Sequence, residues 1–229
     1  MLSRAAAIAP HALSAIRAAQ AFAFDVDSTV ITTEGIDELA AFAGRKQEVA
    51  ALTSQAMGGS MPFDRALEAR LRIISPTRAL LASFLAAHPP AFTPGVQAVV
   101  AALHSRGTHV YLVSGGFTQM IHPVADALGI ARSRVYANTI LFHPTEGTYA
   151  GFDPAAPTSR DGGKAEVMRQ LKSAHGYAPL VMVGDGATDL QARPPADAML
   201  GYGGITVRPA VEAGACWFFK DFAQLKELL

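Results

Sequence analysis

A short apolar run that breaks off into acid constrains this chain most. Ala21-Phe22-Ala23-Phe24 reads as a buried strand, and the next residues are Asp25-Val26-Asp27-Ser28-Thr29. Two later runs repeat the pattern. His109 to Val113 is β-branched and aromatic and passes at once into Ser114-Gly115-Gly116, and Leu180 to Val183 runs into Gly184-Asp185-Gly186-Ala187-Thr188-Asp189. Helix-spaced segments separate these strands. The alternation predicts an α/β fold with a mostly parallel sheet, and in such a sheet ligands gather at the carboxyl ends of the strands. The three polar loops are therefore expected to converge on one site.

The texture changes between Thr32 and Ala87. Glu34 to Phe42, Gln47 to Met57, Pro62 to Ile74 and Pro76 to Ala87 carry helix-spaced apolar positions, with Phe63, Leu67, Leu71 and Ile74 on one face of the third. Pro62 and Pro76 suit first helical turns, and Gly44 and Gly58-Gly59 punctuate between helices. The expected organisation is a Rossmann-like parallel-sheet core, residues 1–31 and 91–229, with a small helical cap, 32–90, inserted after the first strand. Within the core, Val96 to Leu103, Phe117 to Leu128, Gly163 to Lys172 and Phe222 to Leu229 read as helices, and Leu190 to Ala192 begins a short one. Arg134 to Ala137, Met199 to Tyr202 and Ile205 to Val207 read as strand pieces, and a small hairpin insert is expected over 137–153.

Composition narrows the function classes. The 229 residues are 50% hydrophobic and 17% charged, enough to bury a sizeable core, and Lys+Arg equal Asp+Glu at 19 each. That balance lacks the basic footprint of a nucleic-acid binder, and no apolar stretch reaches the roughly 20 residues of a spanning helix. Cys216 is the only cysteine, in the apolar run Ala215 to Phe219, and reads as buried filler. Residues 1–24 contain Arg4 and Arg17 and no acid. They read as an amphipathic helix leading into the first strand, with part of an organelle transit peptide as the alternative. The expectation is a cytoplasmic monomer or homodimer acting on a small molecule, with plastid or mitochondrion as the alternative compartment.

The converging loops carry Asp25, Asp27, Asp185 and Asp189. Four carboxylates this close need a cation, and an all-oxygen donor set favours Mg²⁺ over Zn²⁺. Magnesium commonly takes one or two carboxylates together with substrate phosphate, so a phosphorylated ligand is expected. Ser114 and the amides of Gly115 and Gly116 precede a helix, a favourable place for an anion. Lys164, in Gly162-Gly163-Lys164, adds a point charge for phosphate oxygens. A carboxylate can act as nucleophile through an aspartyl-phosphate, and Asp27, two residues beyond Asp25 on extended backbone, points to the same side as a candidate acid/base. Taken singly, each loop also fits a bland turn or helix cap. Val30 at the sixth loop position excludes an EF-hand, and neither glycine pair has the spacing of a dinucleotide fingerprint or a P-loop.

Asp25 to Val30, Leu112 to Phe117, Gly163-Lys164 and Val183 to Asp189 resemble the four motifs of the haloacid dehalogenase-like superfamily. Glu34 to Leu39, Ala56 to Gly59, Pro62-Phe63 through Arg70-Leu71, Tyr149 to Phe152 and Pro194 to Ala198 are similar to its phosphoserine phosphatase family. The resemblance implies Asp25 as nucleophile and Asp27 as acid/base. It implies Mg²⁺ on Asp25, the Asp27 main-chain carbonyl and Asp185, with Asp189 in or beside the outer shell. It further implies phosphate held by Ser114, Gly115 and Lys164, Thr188 at the substrate, Glu34 facing an ammonium and Arg70 a carboxylate, and Met57 and Gly58 lining the pocket. The implied substrate is O-phospho-L-serine. The residues alone leave Arg65 or Arg72 as alternatives to Arg70. They also leave open another small-metabolite phosphatase or phosphotransferase, and a non-catalytic sensor of phosphorylated ligands, which the full set of carboxylates argues against.

Overall fold

The structure is a computed structural model and describes residues 8–55 and 62–229. Helix α1 (Pro10–Ala18) starts on a proline, which is preorganised for the first helical turn, and buries Ala12, Ala15 and Ile16. Strand β1 (Ala21–Phe24) follows. A wide turn over Val26–Val30 then takes the chain out of the sheet, closed by the Ile31 N–H on the Val26 carbonyl at 3.0 Å. Four helices come next: α2 (Gly35–Phe42), α3 (Lys46–Gln55), α4 (Phe63–Ile74) and α5 (Arg78–Ala87). The Leu80 N–H donates to the Thr77 hydroxyl at 3.0 Å, so Thr77 caps α5 and Pro76 stands outside the helix rather than in its first turn. The chain continues through α6 (Val96–Ser105), β2 (His109–Phe117), α7 (Thr118–Ala127), β3 (Val135–Asn138), β4 (Ile140–Phe142), β5 (Tyr149–Phe152) and α8 (Gly163–His175). It ends with β6 (Leu180–Gly184), α9 (Ala187–Leu190), β7 (Ala198–Tyr202), α10 (Pro209–Gly214), β8 (Trp217–Phe219) and α11 (Phe222–Leu228).

Six strands pair in parallel in the order β3-β2-β1-β6-β7-β8, and β4 and β5 form a separate antiparallel hairpin. Alternation along β1 sorts the core. Phe22 and Phe24 join the cluster under α1, α6, α7 and α11, while Ala21 and Ala23 face Val167, Met168 and Leu171 of α8. Phe24 is in register with Leu112 of β2 on one side and Val183 of β6 on the other. The loops leaving β1, β2 and β6 therefore emerge side by side, where the strand order changes direction.

The helices between β1 and α6 have an apolar cluster of their own. Leu39, Leu67, Leu71, Ile74, Leu81 and Phe84 pack together and reach Phe117 and Ile140. Each such buried side chain contributes about 1.5–3 kcal/mol. The chain enters and leaves this insertion through two adjacent strands of backbone: Ile31 bridges Phe92, Thr32 N–H donates to Ala91 O at 2.9 Å, and Thr93 N–H donates to Val30 O at 2.9 Å.

Several local expectations are corrected. Ile205-Thr206-Val207 do not form the strand their β-branched run predicts; β8 already fills the place beside β7, and Ile205 and Val207 are left exposed. The short helix near Leu190 lies earlier, as α9, because Gly186 and the Asp189 carboxylate cap its start. The apolar run around Cys216 contains β8, and Cys216 is half-buried rather than fully buried. Helix α10 carried too few apolar positions to be expected.

Candidate active site

The end of β1 supplies the first two acids. The Asp25 N–H continues the sheet onto the Val183 carbonyl at 2.9 Å, which fixes the backbone, and its Oδ1 accepts from the Val26 N–H at 2.8 Å. Only 8% of Asp25 is exposed, and its Oδ2 lies 2.8 Å from Lys164 Nζ. Asp27 Oδ1 accepts from the Gly35 N–H at 3.1 Å, so the first turn of α2 holds the second acid. Burial, then the Glu34 and Asp25 charges, push the Asp27 carboxyl up to about 8; the Gly35 hydrogen bond and Lys164 pull the other way. Between the two acids and α2, Ser28 sits at φ +53°, in the left-handed region that costs a non-glycine residue about 1–3 kcal/mol. Its hydroxyl donates to Glu34 Oε1 at 2.7 Å, which ties the turn to the start of the helical insertion.

Strand β2 runs on through Ser114-Gly115-Gly116 with an irregular register against β3. Buried Ser114 accepts the Gly116 N–H on Oγ at 2.9 Å. The Gly115 carbonyl accepts from Asn138 Nδ2 at 2.8 Å, and Asn138 Oδ1 accepts from Thr158 Oγ1 at 2.9 Å. These neutral groups brace the end of β2, which holds as strand the residues expected as a loop. As isolated polar residues outside any motif, neither Asn138 nor Thr158 stood out in the sequence.

The end of β6 and the start of α8 supply the remaining charges. Asp185 accepts from Thr29 Oγ1 at 3.1 Å and from Arg208 Nε at 3.0 Å. Burial and, after it, the Asp25 charge raise the Asp185 pKa, against the Arg208 and Thr29 bonds. Asp189 is fully buried, with Oδ1 on Lys164 Nζ at 2.7 Å and Oδ2 on the Gly186 N–H at 2.9 Å. Gly184 is obligatory here, because a Cβ at that position would overlap the Asp189 carboxylate. Lys164 is 6% exposed; burial alone would lower its pKa, but Asp189 and Asp25 outweigh burial and raise it. It is a permanent cation held between two carboxylates.

These groups line one end of a cavity of about 450 Å³. The opposite wall comes from the insertion: Glu34, Ile36, Phe63, Ala66, Leu67 and Arg70. Gly115, Gly116 and Thr188 also line the cavity. The Arg70 guanidinium has an Nε bond to the Ala66 carbonyl at 3.2 Å, and burial lowers its pKa, against Asp37, Glu34 and Asp27. Arg65 and Arg72 are exposed and pair with Glu68, away from the cavity. Met57 and Gly58 lie outside the described residues. Arg208, Arg160 and Asp161 also line the cavity and belong to no motif; Arg208 follows the β-branched run 205–207, which reads as a strand.

One oxygen each from Asp25, Asp185 and Asp189 lies within 4.8 Å of the others, all three residues buried. Three carboxylates here face two cations, Lys164 and Arg208, so an all-oxygen cluster with residual negative charge fits a hard divalent ion. No described helix is long and apolar enough to cross a membrane.

The haloacid dehalogenase-like hydrolase family matches residues 22–192. The chain is 48% identical to the phosphoserine phosphatase of Bos taurus over 207 residues, 90% of this chain and 92% of that protein. It is 47% identical to the chloroplastic phosphoserine phosphatase of Arabidopsis thaliana over 211 residues, covering 91% of this chain and 71% of that one. Among solved structures, DsGPDH of Dunaliella salina superposes with a TM-score of 0.87 at 33% identity, over 98% of this chain and 38% of the other. With its motifs at three adjacent strand ends and a family match over most of its length, the chain is a haloacid dehalogenase-like hydrolase.

Proposed function

We propose that this chain hydrolyses O-phospho-L-serine to L-serine and inorganic phosphate, with Mg²⁺, through an aspartyl-phosphate on Asp25. The observation that carries this is the cavity's polarity. One end gathers Asp25, Ser114 and Lys164 for a phosphoryl group, and the other offers one carboxylate, Glu34, and one guanidinium, Arg70. Phosphoserine has the complementary pattern of phosphate, ammonium and carboxylate. The cattle and Arabidopsis relatives, phosphoserine phosphatases by name, support the same activity here at 48% and 47% identity.

In the first step Asp25 attacks phosphorus, the bond from phosphorus to the serine oxygen breaks, and Asp27 gives its proton to that oxygen. In the second, a water attacks the phosphorus while Asp27 takes its proton; the bond to Asp25 breaks and the carboxylate is regenerated. Ser114, the Gly115 amide and Lys164 donate to the phosphoryl oxygens; the Gly116 N–H, held on Ser114 Oγ, orients that hydroxyl, and Thr188, from the cavity lining, contacts the substrate. Asp25, the Asp27 main-chain carbonyl and Asp185 would hold Mg²⁺, which would supply charge neutralisation during phosphoryl transfer. Asp189 sits beside that set and holds Lys164. Glu34 takes the substrate ammonium and Arg70 its carboxylate, each worth about 1.5–3 kcal/mol as a charged hydrogen bond. Met57 and Gly58 are assigned to the pocket wall by resemblance.

The test is phosphate release from phosphoserine with Mg²⁺, repeated with chelator, beside phosphothreonine and sugar phosphates. Phosphoserine should stand out and the chelator should stop its turnover. Equal rates across the panel would overturn the substrate assignment. A cytoplasmic location belongs to this proposal, with the plastid as alternative because the Arabidopsis relative is named chloroplastic; imaging of the tagged full chain decides between them.

A further inference from the structure

Behind the catalytic cavity lies a second one, of about 270 Å³, which borders the first at Ile36, Gly116 and Phe117. Its walls come from both parts of the molecule, α2 and the end of α5 on one side and α7 on the other, beside the crossing at Ile31 and Phe92. It shares Asp27 with the catalytic cavity, and Gly35, whose N–H holds Asp27 Oδ1 at 3.1 Å, lines it too. Met120 presses on this contact from α7: a Cβ on Gly35 would come 2.9 Å from the Met120 methyl. Anything seated here bears directly on the backbone amide that orients Asp27.

The lining also states what would fit. Most of it is apolar, and its acidic side chains are Glu38 and the shared Asp27, with no Lys or Arg among the described residues that line it. His88 stacks on Phe84 at 4.5 Å between centroids, with Nδ1 at 3.0 Å from the Phe84 carbonyl. A proton on Nδ1 makes that contact a hydrogen bond and leaves Nε2 as an acceptor. Such a wall accepts a flat apolar body that carries a positive charge or an N–H donor, and it repels an anion.

We propose that this second cavity is a regulatory site for a small aromatic amine, whose binding wedges α2 and α5 away from α7 and slows turnover by drawing the Gly35 N–H off Asp27. Gly35 is then a positioning residue. Binding itself does not depend on the role assigned to Asp27; only the effect on turnover rests on the proposed reaction, so the two fail separately.

Tryptamine and its anionic relative indole-3-acetate are suitable probes for calorimetry on the full chain, with phosphate release measured alongside. The expected result is saturable tryptamine binding, at least about tenfold weaker for indole-3-acetate, with kcat reduced and KM for phosphoserine little changed. Ala87→Trp, at the exposed rim, should weaken tryptamine by about tenfold or more while basal phosphate release stays within about twofold. Glu38→Gln should remove the preference for the amine. Absence of saturable binding, competition by inorganic phosphate, or binding untouched by Ala87→Trp would each overturn the site. Tight binding with unchanged kcat would overturn its regulatory role.

Discussion

At the core end of the catalytic cavity nearly every charge is already answered by another. Lys164 holds Asp25 and Asp189 at 2.8 and 2.7 Å, Arg208 holds Asp185 at 3.0 Å, and Thr29 and the Gly186 amide take further carboxylate oxygens. At the insertion end, among the described residues, Arg70 has one bond to its own helix and Glu34 one bond to Ser28. The core end is preorganised, so its dipoles need no rearrangement when charge moves during the reaction. The insertion end keeps bonding capacity in reserve for a ligand, which suits selection rather than chemistry.

The sharpest way to break that division is to remove the nucleophile. Asp25→Asn should cut phosphate release by roughly four orders of magnitude, about 5.4 kcal/mol of barrier, with circular dichroism unchanged. Retained turnover would mean that the core end is not where the reaction occurs. Next is the same deletion of positive charge made at each end. Lys164→Met leaves Asp25 and Asp189 buried without their cation and should lower the unfolding free energy by about 3–5 kcal/mol. Arg70→Met should change it by less than about 1 kcal/mol. Urea unfolding of both variants measures the contrast, and equal losses would erase it. Chelation comes third. An ion present at a hundred times its dissociation constant stabilises by about 2.7 kcal/mol, so chelator should lower the melting temperature and added Mg²⁺ restore it. An unchanged melting temperature would mean that the acidic site around Asp25 and Asp185 holds no ion.

How legible the two ends were in the sequence follows the same division. Asp25, Ser114 and Asp185 each stand where an apolar run stops, and Lys164 opens a helix, so periodicity alone marks their places. Arg70 could not be told from Arg65 and Arg72, because helical spacing does not say which face meets the sheet; the choice follows from how α4 packs through Leu67 and Leu71, with Glu68 drawing the other two outward. Arg208 was hidden by its neighbours. A β-branched run predicts a strand wherever a sheet has room, and only the position of β8 shows that it had none.

The next prediction concerns selectivity alone. Arg70→Met and Glu34→Gln should each lower kcat/KM for phosphoserine by about tenfold to a hundredfold, the equivalent of about 1.5–3 kcal/mol for a charged hydrogen bond. A plain alkyl phosphate, with neither ammonium nor carboxylate, should be turned over by the variants as by the parent. Equal losses on both substrates would show that these residues support the chemistry, and the contrast between the ends would fall.

The smallest effect is expected where the two ends touch. The Phe63 N–H, at the start of α4, points to Asp161 Oδ2 at 3.5 Å, in an exposed setting just before α8. That distance is at the outer limit of a hydrogen bond. A carboxylate near a helix N-terminus still gains about 0.3–1 kcal/mol from the dipole, and less as salt screens it. Asp161→Ala should therefore cost at most about 0.5 kcal/mol, and kcat/KM should stay within about twofold, with any difference shrinking as salt is added. A loss of tenfold or more, insensitive to salt, would mean that this contact shortens when substrate is bound and fastens α4 to the core during turnover. Part of the selectivity assigned to Arg70 would then belong to the clamp that brings Arg70 over the substrate.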